Sequence, residues 1–229
     1  MLGESGAGKV SQAAFVRSLT AAFFGTGVGR TGRKGLFQAA PKDQQEPLKW
    51  TRSQQVALVL EFWRLVKESV ESGGCPEWAT AFIEAQPERD PFDDRSSMLN
   101  QDMGVRAAHA VVNDFLYHCV KEWGLANWMS EEFGETDTSE QDISSALVTM
   151  RKQNFYKAFK DMAFELTSFD WRSLDGPGVR DNRELELTRR AYRGSGGYTL
   201  LTRDIIGALS ESKKENVASV AEAISIGGE

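Results

Sequence analysis

The pattern Gly3-x-x-x-x-Gly8-Lys9 at the start of the chain is close to that of a phosphate-binding loop. In a phosphate-cradling loop, backbone N–H groups wrap the phosphates, the lysine reaches the outer phosphates, and a Ser or Thr directly after it holds Mg²⁺. Val10 stands at that last position, and its isopropyl group cannot bind a hard cation. The sequence also offers no strand leading into the loop. A nucleotide-binding protein that uses Gly3–Lys9 is therefore our lowest-ranked hypothesis.

A second chemical feature is the glycine-rich segment Gly25–Gly35, which carries Arg30, Arg33 and Lys34 and no acidic residue. Such a segment presents backbone N–H groups beside cationic side chains, a combination that suits the phosphates of a polyanion. A mobile surface loop is the alternative interpretation, because glycine bends easily and is costly to order. We predict that Arg30, Arg33 and Lys34 contact nucleic-acid phosphates.

A similar segment, Arg193–Gly197, lies between a basic helix end and the start of the next predicted helix. Backbone N–H groups at a helix start favour an anion, and neighbouring arginines strengthen that preference. On this interpretation Arg189, Arg190, Arg193 and Ser195 are nucleic-acid-binding residues. The other interpretation is a tight connection whose glycines only allow two helices to pack closely. The sequence leaves both open.

The remaining candidates for catalysis favour structural roles. His109 and His118 are nine residues apart, a spacing that does not bring them to the same point of a helix, so each is expected either in the core or at the surface. Cys75 and Cys119 are far apart and form no metal-binding pattern, which favours a buried thiol for each. We predict no catalytic residue, no metal and no cofactor.

The stretch Asp170-Trp171-Arg172 places a charged pair around a large aromatic side chain where the helical pattern breaks. We favour a structural corner, with Trp171 buried and Asp170 capping the residues that follow, over a catalytic role. The chain has six tryptophans, most of them on apolar faces of predicted helices. They are expected in the core, although an exposed tryptophan could stack on a nucleic-acid base.

Composition bounds the class of protein. A chain of 229 residues can form one large domain or two small ones, and 41% hydrophobic with 26% charged residues is ordinary for a globular protein. The net charge of −6 excludes a general polycation. Basic residues gather in 1–40 and 180–203, whereas the middle carries the acidic excess. The apolar runs are too short to span a bilayer and the N-terminus lacks a signal-peptide pattern, so we expect a cytoplasmic protein with no membrane partner.

The apolar residues recur at three- and four-residue spacings nearly everywhere, which predicts helices. The predicted helices cover Gln12–Phe24, Thr51–Val70, Cys75–Phe82, Ser97–Trp123, Ser139–Arg151, Asn154–Thr167, 181–192, 198–210 and 213–225. A polar linker is predicted at Gln86–Arg95, and short strands near 35–38 or 186–188 are compatible with the sequence. The fold class is therefore mainly α, an irregular multi-helix bundle with minor or no β-structure.

We divide the chain into three parts that are expected to form one compact unit. Residues 1–50 hold the N-terminal helix and the basic glycine-rich loop, and residues 51–170 form a central helical core. Residues 171–229 form a C-terminal helical segment with the second glycine-rich loop.

Several short stretches resemble the C-terminal half of the DGQHR-domain proteins, a family that includes DndB-like regulators of DNA phosphorothioation. They are Ser11–Leu19, Glu61-Phe-Trp63 with Cys75-Pro-Glu-Trp78, Ser97–Val105, Phe169–Trp171 and Arg193–Tyr198. The Asp-Gly-Gln-His-Arg signature is absent, and in the family it belongs to a preceding ParB-like part, so the chemistry of that part is not implied here. The resemblance implies a helical part associated with DNA modification and phage defence, in a family whose DndB-like members are DNA-binding repressors.

Together these features predict a DNA-associated binding or regulatory protein of a DNA-modification or phage-defence system. It would contact phosphates through the two basic segments and act by binding rather than by catalysis. Phosphate contacts position a protein and give no base specificity. The alternative is a non-catalytic helical subunit of a larger defence complex, with a protein partner that carries the missing signature part.

Overall fold

The structure, a computed structural model, describes residues 9–25, 34–37, 48, 50–71, 76–128, 138–193 and 196–227. Throughout these residues the regular structure is helical, and the one β-type feature is an isolated bridge between Ser97 and Arg172. The prediction of a mainly α, multi-helix protein is confirmed.

The helix bounds follow the predicted ones closely. The α-helices are α1 (Gln12–Phe23), α2 (Arg52–Glu71), α3 (Glu77–Ala85), α4 (Asp102–His118), α5 (Glu140–Met150), α6 (Tyr156–Leu166), α7 (Arg183–Tyr192), α8 (Gly197–Ser210) and α9 (Glu215–Gly227). Short 3₁₀ turns at Met98–Asn100 and Leu125–Asn127 flank α4. The suggested strand at 186–188 is wrong, because these residues lie within α7. Of the suggested strand at 35–38, residues 36 and 37 lie in a turn and residue 38 lies outside the described residues.

Side-chain caps fix where several helices begin. Ser11 caps α1 by accepting a hydrogen bond from the Ala14 N–H at 3.2 Å. Thr51 and Gln54 cap α2 reciprocally: the Gln54 N–H donates to the Thr51 hydroxyl at 3.3 Å, and the Thr51 N–H donates to the Gln54 side-chain oxygen at 2.9 Å. Each bond satisfies a backbone donor that the first turn of a helix leaves without a partner.

The fourth helix is shorter than predicted at both ends. The sequence predicts one helix over Ser97–Trp123, but the Met98 N–H donates to the Trp171 carbonyl at 2.7 Å and the Ser173 N–H donates to the Ser96 carbonyl at 2.8 Å. These bonds hold Ser97 in an extended bridge opposite Arg172, and the 3₁₀ turn at Met98–Asn100 follows before α4 begins. Beyond the helix, Gly124 adopts a left-handed conformation with φ of 63°, which ends the helical path.

α4 is the helix around which the N-terminal and C-terminal parts of the chain pack, through contacts with α1, α8 and α9. α2 packs on α5 and α6, and α6 also contacts α8 and α9. One hydrophobic cluster connects these helices and runs in sequence from Ala22 to Ala221. The two basic segments are thus attached to the same core.

α1 runs alongside α4 in the same direction. The Val10 N–H donates to the Asn100 carbonyl just before the two helices begin, and Ser18 meets His109 midway along them. Near the end of α1, the Phe23 carbonyl accepts a hydrogen bond from the Phe37 N–H at 2.8 Å, and the Asn113 side-chain oxygen accepts one from the Leu36 N–H at 2.8 Å. The start of α1 therefore lies near the N-terminus of α4, and its end lies about three turns further along.

None of the helices in the described part of the chain is both long enough and apolar enough to cross a membrane.

Candidate nucleic-acid interface

The first basic segment is attached to the C-terminal half of α4. Lys34 is exposed, its backbone carbonyl accepts a hydrogen bond from the Asn113 side-chain amide at 2.8 Å, and its ammonium lies 5.9 Å from the centre of the Tyr117 ring. The structure thus holds the backbone of Lys34 while its charge faces solvent. The other two predicted contacts of this segment, Arg30 and Arg33, lie outside the described residues.

The glycine-rich segment begins and ends at the same place on the protein. Phe24 is the C-cap of α1, and Gly25 follows in the left-handed conformation, with φ of 72°, that glycine adopts without strain. A Cβ atom on Gly35 would lie 2.4 Å from the Phe23 carbonyl oxygen and 2.5 Å from the Gly25 nitrogen. Glycine is therefore required at position 35, because the returning chain passes directly against the end of α1.

Arg189 occupies a buried structural position, which differs from its predicted role as a phosphate contact. Its side chain is 3% exposed, and its guanidinium donates to the backbone carbonyls of Arg172 and Asp170, each at 2.6 Å. The rings of Phe169 and Tyr192 flank the same group. Arg189 cannot reach a phosphate from this position without leaving the core, so its function is to connect α7 to the corner at residues 170–172.

Arg190 and Arg193, in contrast, point to solvent and form surface ion pairs. Arg190 pairs with Glu186 one turn earlier on α7 at 2.6 Å, and Arg193 pairs with Asp175 at 2.8 Å. Asp175 also accepts a hydrogen bond from Arg180, and the two arginines hold the pKa of the Asp175 carboxyl below its ordinary value. Both predicted contacts are therefore available at the surface, each beside a carboxylate.

The glycines that follow Arg193 divide between the two interpretations of this segment. A Cβ on Gly197 would lie 1.7 Å from the Tyr192 carbonyl oxygen, so this glycine is required by the close packing of α7 and α8. A Cβ on Gly196 would meet nothing within 4 Å, so packing does not require glycine there. Ser195 lies outside the described residues. Close packing explains Gly197 and leaves Gly196 unexplained, and Gly194 lies outside the described residues.

Lys9, the last residue of the N-terminal glycine pattern, is fixed differently from the lysine of a phosphate-cradling loop. Its ammonium pairs with Asp93 at 2.9 Å, and the next backbone N–H, that of Val10, already donates to the Asn100 carbonyl at 2.7 Å. α1 begins only after Ser11, so Lys9 is not at the first turn of a helix. The glycines themselves lie outside the described residues.

We therefore predict that Mg²⁺ adds nothing to any binding of ATP or GTP by this chain. The position after Lys9 lacks a hydroxyl, and the Val10 N–H already donates its hydrogen to the Asn100 carbonyl, so it is not available to a phosphate. Calorimetric titration with each nucleotide, in the presence and absence of Mg²⁺, measures this directly. A micromolar affinity that requires Mg²⁺ and disappears in Lys9→Ala would contradict it.

His109 and Cys119 are core residues, as expected. The Trp63 indole N–H donates to His109 Nε2 at 2.9 Å, so the imidazole hydrogen resides on Nδ1, which faces the Ser18 hydroxyl at 2.8 Å. Ser18 in turn donates to the Phe15 carbonyl. Burial lowers the pKa of His109 to about 3 and raises the pKa of Cys119 to about 12, so both groups are neutral near pH 7. Cys75 lies outside the described residues.

The corner around Trp171 is structural, as predicted. Trp171 is fully buried, and its indole N–H donates to the Leu166 carbonyl at 2.9 Å. Asp170 accepts from the Arg172 N–H at 2.9 Å and from the Arg172 guanidinium, so it caps the following turn. The chain's other tryptophans are buried or half-buried, which leaves none of the six as a fully exposed platform for a base.

Glu61 is the centre of an ionic network that the sequence analysis did not identify. Its side chain has no exposed surface, and it accepts two hydrogen bonds from Arg64, two from Arg151 and one from Tyr156, at 2.6 to 2.9 Å. Burial alone would raise the pKa of this carboxyl, but the hydrogen bonds from Arg64, Arg151 and Tyr156 outweigh burial and lower the pKa to about 2. The network connects α2 to α5 and to α6.

Arg89 and Arg95 belong to Gln86–Arg95, the segment that the sequence predicts to be a polar linker. Both line a cleft at the N-terminus of α4, together with Lys9 and Arg193. The mixture of charges in Gln86–Arg95 concealed them, since each arginine has acidic neighbours in the sequence. This linker differs from an ordinary solvated one because Lys9 and Arg193, which are distant in the sequence, line the same cleft as Arg89 and Arg95.

Across the described residues, no three or more His, Cys, Asp and Glu side chains are grouped closely enough to hold a metal ion.

No protein-family model matches this chain, and neither does any curated protein or any solved structure. The resemblance to the DGQHR-domain family accordingly stays a prediction from the sequence.

Proposed function

We propose that this protein is a DNA-associated, non-catalytic binding protein that contacts duplex phosphates through its two basic segments. The observation that carries this proposal is that the segments of Lys34 and Arg193 both lie against α4, at different ends of the helix. Arg193 lines the cleft beside Asp102 and Met103 at the N-terminus of α4, whereas Lys34 contacts Asn113 and Tyr117 near its C-terminus.

These two attachment points lie on the same side of the helix. Residues 102, 113 and 117 are separated by eleven and four positions, which places them along one stripe of an α-helix. At a rise of 1.5 Å per residue, the stripe separates the two basic segments by roughly 20 Å. Along B-DNA that distance corresponds to about six base pairs. A single duplex face can therefore meet both segments.

α1 lies between the two segments and adds a further cation. Arg17 is exposed near the middle of α1, and its side chain forms no ion pair with any residue that the structure describes. Since α1 runs alongside α4, Arg17 lies between Lys9, just before α1, and Lys34, beyond its end.

The ion pairs of these arginines do not prevent binding of phosphate. The side chains of Arg190 and Arg193 are 60% and 53% exposed, and such surface pairs contribute little to stability, about 0 to 1 kcal/mol each. Exchange of a carboxylate for a phosphate therefore costs little at either position.

Association with DNA modification or phage defence, and action as a regulator, rests on the family resemblance alone and is part of the proposal.

The salt dependence of duplex binding tests this proposal. If the five cations Arg30, Arg33, Lys34, Arg190 and Arg193 contact phosphates, the logarithm of the association constant should fall with the logarithm of salt concentration with a slope of about −4 to −5. Replacing the first three by glutamine should reduce the slope by up to about 3, and replacing Arg190 and Arg193 by up to about 2, for all sequences alike. Fluorescence anisotropy of a labelled duplex at several salt concentrations measures each slope.

Arg183→Gln provides the matched control. Arg183 is an exposed arginine at the start of α7, about two turns from Arg190, and it too pairs with Glu186. Its replacement should leave the slope unchanged, and a melting curve for each variant confirms folding. A folded protein that fails to bind duplex at low salt would refute DNA binding and favour the alternative, a helical subunit that binds protein.

A further inference from the structure

A cleft of about 740 Å³ opens where distant parts of the chain meet the N-terminus of α4. Its volume lies within the range of small-molecule sites. Four cationic side chains line it, against two carboxylates, those of Asp102 and Asp175. The cations are Lys9, Arg89, Arg95 and Arg193.

Three of the cations are held in place by carboxylates and still retain N–H groups for a ligand. Arg89 donates to both carboxylate oxygens of Asp94, at 2.6 and 3.1 Å. Lys9 and Arg193 each donate one hydrogen bond, to Asp93 and Asp175 respectively. An ammonium has three N–H donors and a guanidinium has five, so each group keeps at least two. The carboxylates therefore orient these cations without using all their donors.

Arg95 is the exception, because its guanidinium makes no hydrogen bond or ion pair with any residue that the structure describes. Its backbone is nevertheless fixed, since the Arg95 carbonyl accepts a hydrogen bond from the Gln101 side-chain amide at 2.8 Å. Gln101 precedes α4, and its side chain does not cap the helix. Arg95 thus lines the cleft together with Gln101, Asp102 and Met103 at the start of α4, where first-turn N–H groups carry a partial positive charge and the Asp102 carboxylate opposes it in part.

We propose that this cleft binds the phosphate group of a phosphate monoester, such as a nucleoside monophosphate. A monoester carries a charge of about −1.5 to −2 at pH 7 and presents three acceptor oxygens, which suit donors converging from several sides. A phosphate inside a nucleic-acid strand carries a single charge, and its chain would have to enter and leave the cleft. The inference goes beyond the proposed duplex binding, because a free nucleotide can occupy the cleft whether or not a duplex binds.

Calorimetric titration of the full chain with AMP, with inorganic phosphate and with adenosine tests the site. AMP and phosphate are expected to bind, and adenosine is not. Arg95→Gln should weaken AMP binding by about tenfold or more, since it removes a charge-assisted hydrogen bond without breaking a contact within the described fold. Arg183→Gln, which removes an exposed arginine of α7 that does not line the cleft, should leave AMP binding unchanged. The proposal is overturned if folded protein binds neither AMP nor phosphate, or if both variants bind AMP equally well.

Competition assigns the source of the phosphate. A single-stranded oligonucleotide with a 5′-phosphate that displaces AMP, when the same strand without the phosphate does not, would support the site and identify its ligand as a strand end. Failure of both strands to displace bound AMP would support a free small molecule. Displacement of AMP by both strands equally would overturn the preference for a monoester.

The failure of this inference and that of duplex binding are distinguishable. Loss of AMP binding in Arg95→Gln, in a protein that shows no salt-dependent duplex binding, would support the cleft and refute the proposed function. Duplex binding with the expected slope, in a protein that does not bind AMP or phosphate, would give the opposite result.

Discussion

Replacing Glu61 by glutamine is expected to lower the free energy of unfolding by about 3 kcal/mol. The carboxylate accepts hydrogen bonds from Arg64, Arg151 and Tyr156 in a position without solvent exposure. Glutamine fits the same space, but its amide N–H groups would face donors, and the two arginines would lose their common partner. Urea unfolding monitored by circular dichroism measures the change.

Glu68→Gln is the matched control for this prediction. Glu68 lies two turns further along α2 and also pairs with Arg64, but its side chain is 39% exposed. Its replacement should cost less than about 1 kcal/mol, as expected for a surface ion pair. Equal urea midpoints for Glu61→Gln and Glu68→Gln would show that burial of the network contributes nothing to stability.

The same network should give a signature in acid. The pKa of Glu61 is lowered from 4.5 to about 2 in the folded protein, so the unfolded chain takes up the proton first as the pH falls. The contribution of Glu61 to stability is therefore fully present above pH 4.5 and is lost as the pH falls towards 2.

Between pH 6.5 and about 5, the protein is expected to lose about 2 kcal/mol of stability because of His109 alone. Burial lowers the pKa of His109 from 6.5 to about 3. In this range the unfolded chain binds a proton that the folded protein excludes, so falling pH favours unfolding, while stability from this group is complete above pH 6.5. Protonation would place a hydrogen on Nε2, where the Trp63 N–H already points.

Urea unfolding at several pH values distinguishes His109 from the other histidine. His109→Gln should remove the slope of stability between pH 6.5 and 5, because carboxylates titrate mainly below this range. His118→Gln should retain it, since His118 is exposed at the end of α4. A slope that persists in His109→Gln, or that disappears in His118→Gln, would contradict the assignment.

The helices were predictable because each buries one apolar stripe, and such a stripe is visible in the sequence. The errors at α4 have a specific cause. The apolar spacing continues from Ser97 to Trp123, but the hydrogen bonds with Trp171 and Ser173 hold Ser97 in an extended bridge ahead of the helix. A pairing between segments about 70 residues apart leaves no mark on local periodicity, so local pattern overestimates the helix.

The roles of single charged residues were less predictable, although a partial signal existed. Glu61 falls three residues after Leu58 and four before Leu65, on the stripe that α2 buries, and Arg189 falls on the stripe of Tyr192 in α7. A charge on a buried stripe must be paired, which indicates a structural role for both residues. Their partners, Arg151 for Glu61 and the carbonyls of residues 170 and 172 for Arg189, come from other elements and could not be inferred from spacing.

The position of α1 has a consequence for how the chain acquires its structure during synthesis. Ser18 finds its partner His109 only after 91 further residues. At a synthesis rate of 5 to 20 residues per second, α1 must wait roughly 5 to 18 s after it has been made before α4 is complete enough to cover it. The face of α1 that packs on α4 lacks its partner throughout that interval. The nascent chain is therefore most open to aggregation and to chaperone capture before residue 109 has emerged from the ribosome.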